Sequence, residues 1–317
     1  MIGAEILLRK NSILEMLLTH LDQFILSCYM NKIKVAPVVV LFHPNKVVLA
    51  NIMSYINQVE KIYVIDNSET TNQYVTDKIK EIEKVEYILN ISNVGIGKAF
   101  NVGAERAIRE GFEFLLTMDQ DSKASKEMIK RMLFEASGIS NVGIITPIHG
   151  NKFNTQECHI GPYTEKFDVM SSGNLVNLQI LSKVGEFNEQ YFIDFVDIEY
   201  YLRLHIAHYK IIQVNSALLF HSEGNIQQQR FLFWKVYPYH HSPIRYYYKA
   251  RNRLYLRAKY KSKFPEYFKK KEKKVFRNTV IKMLFLEKKR ALKIRYLFKG
   301  YIDYKNGILG KFGSKSN

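Results

Sequence analysis

Short apolar runs separated by polar, helix-like stretches begin at residue 35 and continue for about two hundred residues. Residues 35–42 read as a buried strand with Pro37 near its start, where a missing N–H is tolerable. Residues 46–58 have a helical pattern, 62–65 form a second strand, 73–82 a helix, 85–89 a third strand and 99–109 a helix. The apolar run at 114–118 is the length of one buried strand. A helix around 126–135, a strand at 142–145, a helix starting near Asp197 and strands at 211–214 and 217–220 complete the pattern. Strand and helix alternating at short spacing predict an α/β fold, with a mostly parallel sheet covered on both faces.

Both ends of the chain depart from this rhythm. In residues 1–34, Leu7, Leu8, Leu14, Leu17, Leu18 and Leu21 recur near helical spacing. Two readings stand there: an appended amphipathic helix, or an upstream extension of the domain. Beyond residue 244, Phe276, Val280, Ile281, Leu284, Phe285, Leu292, Leu297 and Phe298 lie among Lys and Arg, the pattern of basic amphipathic helices.

Charge sharpens that contrast. From Arg245 to the end there are 24 Lys plus Arg against 4 Asp plus Glu, leaving 23 of the 47 bases and 26 of the 30 acids in the first 244 residues. The whole excess of +17 therefore sits in the tail, which suggests a surface that meets anions. A solvated basic face and a nucleic-acid-binding tail are the alternatives; no recognised nucleic-acid motif accompanies the charge, so no nucleic-acid partner is expected. With 47% apolar residues a sizeable core is available. Two cysteines, Cys28 and Cys158, give neither a disulfide framework nor metal-ligand spacing, and a cytoplasmic location is the default. No apolar run reaches the ~18–20 residues of a membrane span, and no signal-peptide pattern is present.

Candidate chemistry collects at the ends of the expected strands. The run at 114–118 stops at Asp119-Gln120-Asp121. If the chain turns at Gln120, two carboxylates diverge around one ligand, one toward a ribose hydroxyl and one toward a hard cation such as Mg²⁺. The alternative is a helix cap, with Asp121 or Ser122 starting a helix from about residue 124. Phe42-His43 and Asp66-Asn67-Ser68 end two other strands, and in open α/β sheets such ends share one ligand-binding rim. Asp66 has the chemistry to accept a hydrogen bond from a pyrimidine N3–H while Phe42 stacks on the base; a plain turn explains Asp-Asn-Ser equally well. Asn93-x-Gly95-x-Gly97 only weakly resembles a phosphate loop. Ser171-Ser172-Gly173 is either a small-residue loop for close approach to a diphosphate or a bulge. Asp194, Asp197 and Glu199 lie in an aromatic stretch, where carboxylates buried without partners are costly; acidic residues also suit a helix's first turn. His221 ends the last strand, and Arg245 and Arg251 have the geometry to bind phosphate.

In combination these stretches resemble the inverting, metal-dependent family 2 glycosyltransferases: Val40-Leu41-Phe42-His43-Pro44, Ile65-Asp66-Asn67-Ser68, Asn93-x-Gly95-Ile96-Gly97, Asn101-x-Gly103 and Leu116 to Ser122. The nearest branch is that of bacterial rhamnosyltransferases of surface-polysaccharide synthesis, and the resemblance spans about 35–253. It implies a GT-A fold, a Rossmann-like nucleotide-binding sheet with a mixed C-terminal half, followed by the basic helical tail. The corresponding domains are 35–244, with a nucleotide-sugar half to about 150 and an acceptor half from 151, and 245–317. It implies a nucleoside-diphosphate-sugar donor, dTDP-L-rhamnose or alternatively a UDP-sugar, and a lipid-linked saccharide acceptor. Phe42, Asp66, Asn93, Gly95, Asp119, Ser172, Gly173 and Arg251 are then expected at the donor, Asp119 near the ribose. Asp121, with His221, would ligate Mg²⁺ or Mn²⁺, and Asp197 aligns with the family's catalytic base. Val196 stands where the broad family has Glu, and Glu223 where an apolar residue is usual. The implied place is peripheral, on the inner face of the cell membrane, held by the tail at anionic lipid. Removing the tail from about Phe264 is expected to leave donor binding intact.

Overall fold

The computed structural model describes residues 33–150, 161–221, 229–231, 234–236 and 240–313. Expectations for residues 1–32, for the loop after His221 and for the His221 side chain lie outside what is described.

Four strands, β1 (Val35–Leu41), β2 (Ile62–Asp66), β3 (Val85–Leu89) and β4 (Phe114–Asp119), form a parallel half-sheet in the order β3-β2-β1-β4. The register pairs Leu41 with Asp66, Val40 with Asp119 and Asp66 with Leu89, so the expected rim exists and carries the polar clusters side by side. The sheet continues in mixed fashion through β5 (Ser122–Ala124), β6 (Val142–Gly150), β7 (Tyr163–Lys166), β8 (Asn174–Asn177) and β9 (Lys210–His221). Here β8 runs antiparallel to both β4 and β6. The two strands expected at 211–214 and 217–220 are one strand: Pro147 pairs with Val214 and Ile148 with Leu218, so residues 215–217 bulge out of a continuous ladder.

Alternation along β1 and β2 sends successive side chains to opposite faces, and each face grows its own core. Val39, Leu41 and Val64 pack under α1 (Val47–Met53), α2 (Gln73–Lys80) and α4 (Met128–Ala136). Ala36, Val38, Tyr63 and Ile65 pack under α3 (Ile96–Arg109), α5 (Leu178–Val184) and α6 (Val196–Ile206). Helix α3 lies so close to β1 that a Cβ on Gly103 would fall 2.5 Å from Val38 Cγ2, which accounts for glycine in the Asn-x-Gly motif.

Of the two readings of the central motif, the helix cap is the one that does not form. No helix starts at Asp121 or Ser122; Ser122–Ala124 instead pairs antiparallel with β9, and α4 begins at Met128. The strand wins because Ser122 and Ala124 are buried against β9, which a solvated cap would not permit.

The tail does not begin as an appendage. Among the described residues three α-helices follow residue 242, α7 (Pro243–Tyr260), α8 (Lys273–Leu286) and α9 (Arg290–Lys305), with a π-helical turn at Tyr267–Glu272 leading into α8. Leu256 and Tyr260 of α7, and Phe268 beyond it, belong to the core that also holds Tyr200 and Leu204. Glu272 is buried between Arg253 and Arg257, and Lys271 reaches back to Asp168. No packing break falls at residue 244. No described helix is long and apolar enough to cross a membrane.

Removing residues from Phe264 onward is therefore expected to destabilise the whole protein, against the reading from sequence. Phe268 alone, fully buried, represents about 3–5 kcal/mol on truncation to Ala. The truncated chain should lose its cooperative urea transition or shift it to much lower denaturant; an unchanged midpoint would mark the tail as a separate unit.

Candidate functional site

The rim is fastened at Gln120. The chain turns at Gln120 and Asp121, between β4 and β5. The Phe42 N–H donates to Gln120 Oε1 at 2.9 Å, Gln120 Nε2 donates to Phe42 O at 3.2 Å, and Asn51 Nδ2 donates to Gln120 O at 2.9 Å. The middle residue of Asp-Gln-Asp thus clasps the end of β1 to the end of β4 and sets Asp119 and Asp121 on either side of the turn, both half-buried. Phe42 remains 45% exposed at the rim, its ring 4.3 Å from that of His43.

Asp66 is fully buried, and its two oxygens accept from Ser68 N at 2.9 Å and Tyr87 OH at 2.6 Å. Ser68 Oγ in turn accepts from the His43 N–H at 2.7 Å. The cluster is more than a turn: it joins the ends of β1, β2 and β3. Asn93 Oδ1 accepts from the Gly95 N–H at 2.9 Å and shapes the loop before α3. Gly95 has φ +86°, and a Cβ there would lie 2.6 Å from Phe192 O. The Ile96 N–H donates to that same oxygen at 2.8 Å. Glycine is required at 95 because the backbone of the 192 loop rests on it.

Ser172 and Gly173 lie beside the rim but face inward. Ser172 Oγ accepts from Asp119 N at 3.0 Å and lies 2.7 Å from Ser122 Oγ. His149 Nε2 is 2.7 Å from Ser172 O. At Gly173, φ is +84° and a Cβ would meet Leu219 and Pro147. These residues hold Asp119 and Ser122 in place.

The three carboxylates of the aromatic stretch have three different environments. Glu199 is buried and accepts from Arg203 Nε at 2.8 Å, Tyr260 OH at 2.5 Å and Lys259 Nζ at 3.1 Å. Asp194 accepts from both Nε and Nη2 of Arg245, at 3.2 and 2.6 Å, and from Lys249 Nζ at 3.1 Å. Burial alone would raise the Asp194 carboxyl; Arg245 and Lys249 reverse that and hold it well below the usual carboxylate range. Asp197, at the start of α6, makes no salt bridge to a described residue; its Oδ1 accepts from the Ile198 N–H at 2.9 Å. Burial, reinforced by the nearby charges of Asp194 and Asp168, pushes its carboxyl up to about 6 although the Ile198 N–H pulls the other way. Arg245 is raised first by Asp194 and also by Asp119 and Asp197, so one guanidinium lies within electrostatic reach of both the rim and the start of α6.

Arg251 is not at the rim. It is fully buried: Nη1 donates to Gly310 O at 2.7 Å, Nη2 to Gln190 O at 3.3 Å and Nε to Asn252 Oδ1 at 2.9 Å. The expectation of a donor contact fails because these internal carbonyls take its guanidinium. Reading the sequence also missed Gln120, Tyr87, Asn101 and Asn252. Asn101 donates to Phe187 O and Glu189 Oε1 and accepts from the Phe187 N–H, tying α3 to the turn before α6. Gln120 and Asn252 stood inside motifs whose charged neighbours drew the assignment.

Opposite Ser122 in the β5–β9 ladder stands His221, which brings the backbone of that residue next to Asp121. Among the described residues no group of three His, Cys, Asp or Glu forms a metal cluster.

Comparison with known proteins gives this geometry a context. The model of the glycosyl transferase family 2 matches residues 38–178. The dTDP-rhamnosyl transferase RfbF of Shigella flexneri is 29% identical over 247 residues, 70% of this chain and 79% of that protein. Among solved structures, GalNAc-T7 with UDP, GalNAc and Mn²⁺ superposes with a TM-score of 0.50 at 12% identity, over 60% of this chain and 44% of that one. S. aureus TarS superposes with a TM-score of 0.50 at 14% identity, over 86% of this chain and 43% of that one. The chain thus spans less than half the length of either structure, and the likeness to both is one of fold. The chain carries a glycosyl transferase family 2 domain on a GT-A fold, and it is a glycosyltransferase.

Proposed function

We propose that this enzyme transfers L-rhamnose from dTDP-rhamnose, with inversion, to a lipid-linked saccharide at an anionic membrane surface, in the assembly of a cell-surface polysaccharide. The observation that carries the mechanism is the contrast at the start of α6. Asp194 and Glu199 are each salt-bridged to cations, whereas Asp197 makes no salt bridge to a described residue and is tuned to about 6. A general base serves best with a pKa near the working pH. Asp197 takes the proton of the acceptor hydroxyl as its oxygen bonds to the sugar C1. The bond from C1 to the nucleoside diphosphate breaks on the opposite face, and the diphosphate leaves. The rhamnosyl donor is supported by the 29% identical relative named for dTDP-rhamnosyl transfer.

Phe42 and Asp66 are assigned to the base and Asp119 to the ribose, with the Asn93–Gly95 loop bordering the same rim. Asp121, with His221 across the ladder, would hold Mg²⁺ or Mn²⁺. The donor set fits a hard cation: such ions take one or two carboxylates and complete their shell with substrate phosphates, so no three-residue cluster is needed. When bound, the cation offsets charge on the leaving diphosphate. Arg245, pinned by Asp194 yet 35% exposed at its side chain, adds positive charge on the same side.

The membrane assignment rests on the outer faces of α8 and α9. Val275, Ile281, Leu292, Ile294 and Phe298 are exposed there beside Lys273, Lys274, Arg277, Lys288 and Lys289. Apolar side chains interleaved with cations suit insertion into an anionic interface, and each cation contributes roughly 1 kcal/mol near it.

Asp121→Ala is expected to abolish metal-dependent donor binding. Calorimetry with dTDP-rhamnose and UDP-sugars, in Mg²⁺ and Mn²⁺, reads both this and the donor; unchanged affinity in the variant removes the cation assignment, and preference for a UDP-sugar removes rhamnose.

Asp197→Asn keeps the shape but takes no proton, so donor binding should persist while turnover falls about 10²–10⁴-fold. In the wild type the rate should rise with pH through about 6, as Asp197 ionises. The same raised pKa means that the native state holds its proton more tightly than the unfolded chain. Stability from this group is present at low pH and lost as pH rises through about 6. The amide should therefore raise stability at pH 7, by up to about 3 kcal/mol. Full activity in Asp197→Asn would move the base elsewhere.

Ile281→Ser with Phe298→Ser should weaken cosedimentation with phosphatidylglycerol vesicles by about tenfold or more, at unchanged donor affinity. Equal binding by the double variant and the wild type would leave these side chains as ordinary surface.

A further inference from the structure

The loop that delivers Asp197 is held in an unusual backbone shape. Phe192, Asp194 and Phe195 all have positive φ, at 64°, 63° and 68°, and none is glycine. Phe195 is the residue immediately before α6, so its conformation sets the direction in which the helix, and Asp197 on its first turn, leaves the loop. Side chains other than glycine rarely adopt this region unless their surroundings impose it.

The side chain with most bonds to this loop's backbone is a buried amide. Asn252, on α7 and fully buried, donates through Nδ2 to Tyr191 O at 2.8 Å, Ile193 O at 2.8 Å and Asp194 O at 3.0 Å. Its Oδ1 accepts from Arg251 Nε at 2.9 Å, which fixes the amide's orientation. Arg251 extends the same grip to Gln190 O. From the other side the Ile96 N–H holds Phe192 O at 2.8 Å. Three carbonyls turned toward one amide leave the 191–195 segment little freedom to relax into an ordinary extended path.

We infer that Asn252 is a positioning residue for glycosyl transfer: it latches the carbonyls of Tyr191, Ile193 and Asp194 so that the strained loop presents Asp197, and with it the Asp194–Arg245 pair, in the productive geometry. The inference rests on the reading of Asp197 as the base. It assigns the Arg251-Asn252 pair a part in the reaction although neither residue reaches the rim. An interaction that holds a catalytic group in place is worth as much as one that touches substrate, since a displacement of about 1 Å can cost 10²-fold in rate.

Asp197 itself reports the state of the latch. Its carboxyl is surrounded by Asp194 on the same loop, Asp168 on the loop before β8, Tyr201 on α6, Tyr267 beyond α7 and Arg245 on α7. Burial dominates its titration, so a loop that relaxes toward solvent should lower its pKa toward that of an ordinary aspartate.

The test compares the wild-type full chain with Asn252→Ala by two readouts. Titration of the aspartate carboxyl carbons by NMR follows Asp197, its resonance identified by its loss in Asp197→Asn. Steady-state kinetics with dTDP-rhamnose follow transfer. Asn252→Ala should lower the Asp197 pKa from near 6 and reduce kcat about 10- to 100-fold, at unchanged donor affinity. Adding Phe195→Gly, which removes the penalty for positive φ, should restore part of the kcat. This rescue also serves if Asn252→Ala folds poorly, because a mere packing defect would not be relieved by a glycine in the loop. A folded Asn252→Ala with wild-type Asp197 titration and kcat overturns the inference, as does a loss that Phe195→Gly leaves untouched. A shifted Asp197 titration with unchanged kcat would show that Asn252 holds the loop without serving transfer, which overturns the inference and also removes Asp197 as the base.

Discussion

An ionised carboxylate taken out of water needs cations or hydrogen-bond donors around it, and that requirement organises most of this molecule. Three of the four acidic residues beyond position 244 are buried, and each is met: Glu272 by Arg253 and Arg257, Glu287 by Lys293 and the Tyr246 hydroxyl, and Asp303 by Lys299 and the Tyr247 hydroxyl. Glu199 draws Lys259 and Tyr260 of α7 onto α6 in the same way, and Asp194 draws Arg245 and Lys249. These pairs bind the basic helices to the sheet domain. Removing Glu287, for example, would leave Lys293 buried without its carboxylate, at a cost of about 3–5 kcal/mol. Against that background Asp197 stands apart: it is a half-buried carboxylate that makes no salt bridge to a described residue, with Arg245 acting on it only at longer range.

The positive tail therefore has two faces with different duties. Inward, Arg251, Arg253, Arg257 and Lys293 satisfy carboxylates and carbonyls. Outward, the lysines and arginines of α8 and α9 stand among exposed apolar side chains. A count of charges along the sequence registers both groups alike, and so it overstates how much of the tail is surface. The same ambiguity placed a domain boundary at 244, where charge changes but packing does not. Helix α9 crosses α7 so closely that a Cβ on Gly300 would fall 2.5 Å from Tyr247 O, and α7 in turn carries Asn252 to the loop before α6.

What was legible in the sequence was what has a period. Short apolar runs marked β1, β2 and β4, and their parallel order followed from the helical periods between them; the polar clusters at their ends then had to share a rim. What was not legible was the partner of each polar side chain. Arg251 had the chemistry to bind phosphate, and nothing local distinguishes that from binding the carbonyl of Gly310, 59 residues away. Ser172 and Gly95 have the composition of a diphosphate loop; in the fold one supports Asp119 and the other makes room for Phe192. Much of the Asn93 to Gly103 motif is accounted for in the same way: Gly95 and Gly103 admit close neighbours, and Asn101 bonds to Phe187 and Glu189. In this chain the motif builds the wedge that α3 forms between the sheet and the 187–192 turn.

The two costly features of the molecule occur together. Three residues of the 192–195 loop adopt positive φ, at about 1–2 kcal/mol each, and Asp197 next to them ionises against its surroundings. Neither feature helps the chain to fold, and relief of either is available by a single substitution. Such strain persists only where the surrounding structure over-determines it, and here that surrounding structure is explicit. The Arg251-Asn252 pair holds the loop carbonyls from α7, Ile96 holds Phe192 from α3, and the Asp194–Arg245 bridge fixes the loop's middle. The stability of the paired layer sustains a local arrangement that is unfavourable in isolation. The ordering runs from the tail inward: Glu272 and Gly300 seat α7, α7 seats the loop, and the loop sets the direction in which α6 and its Asp197 leave it.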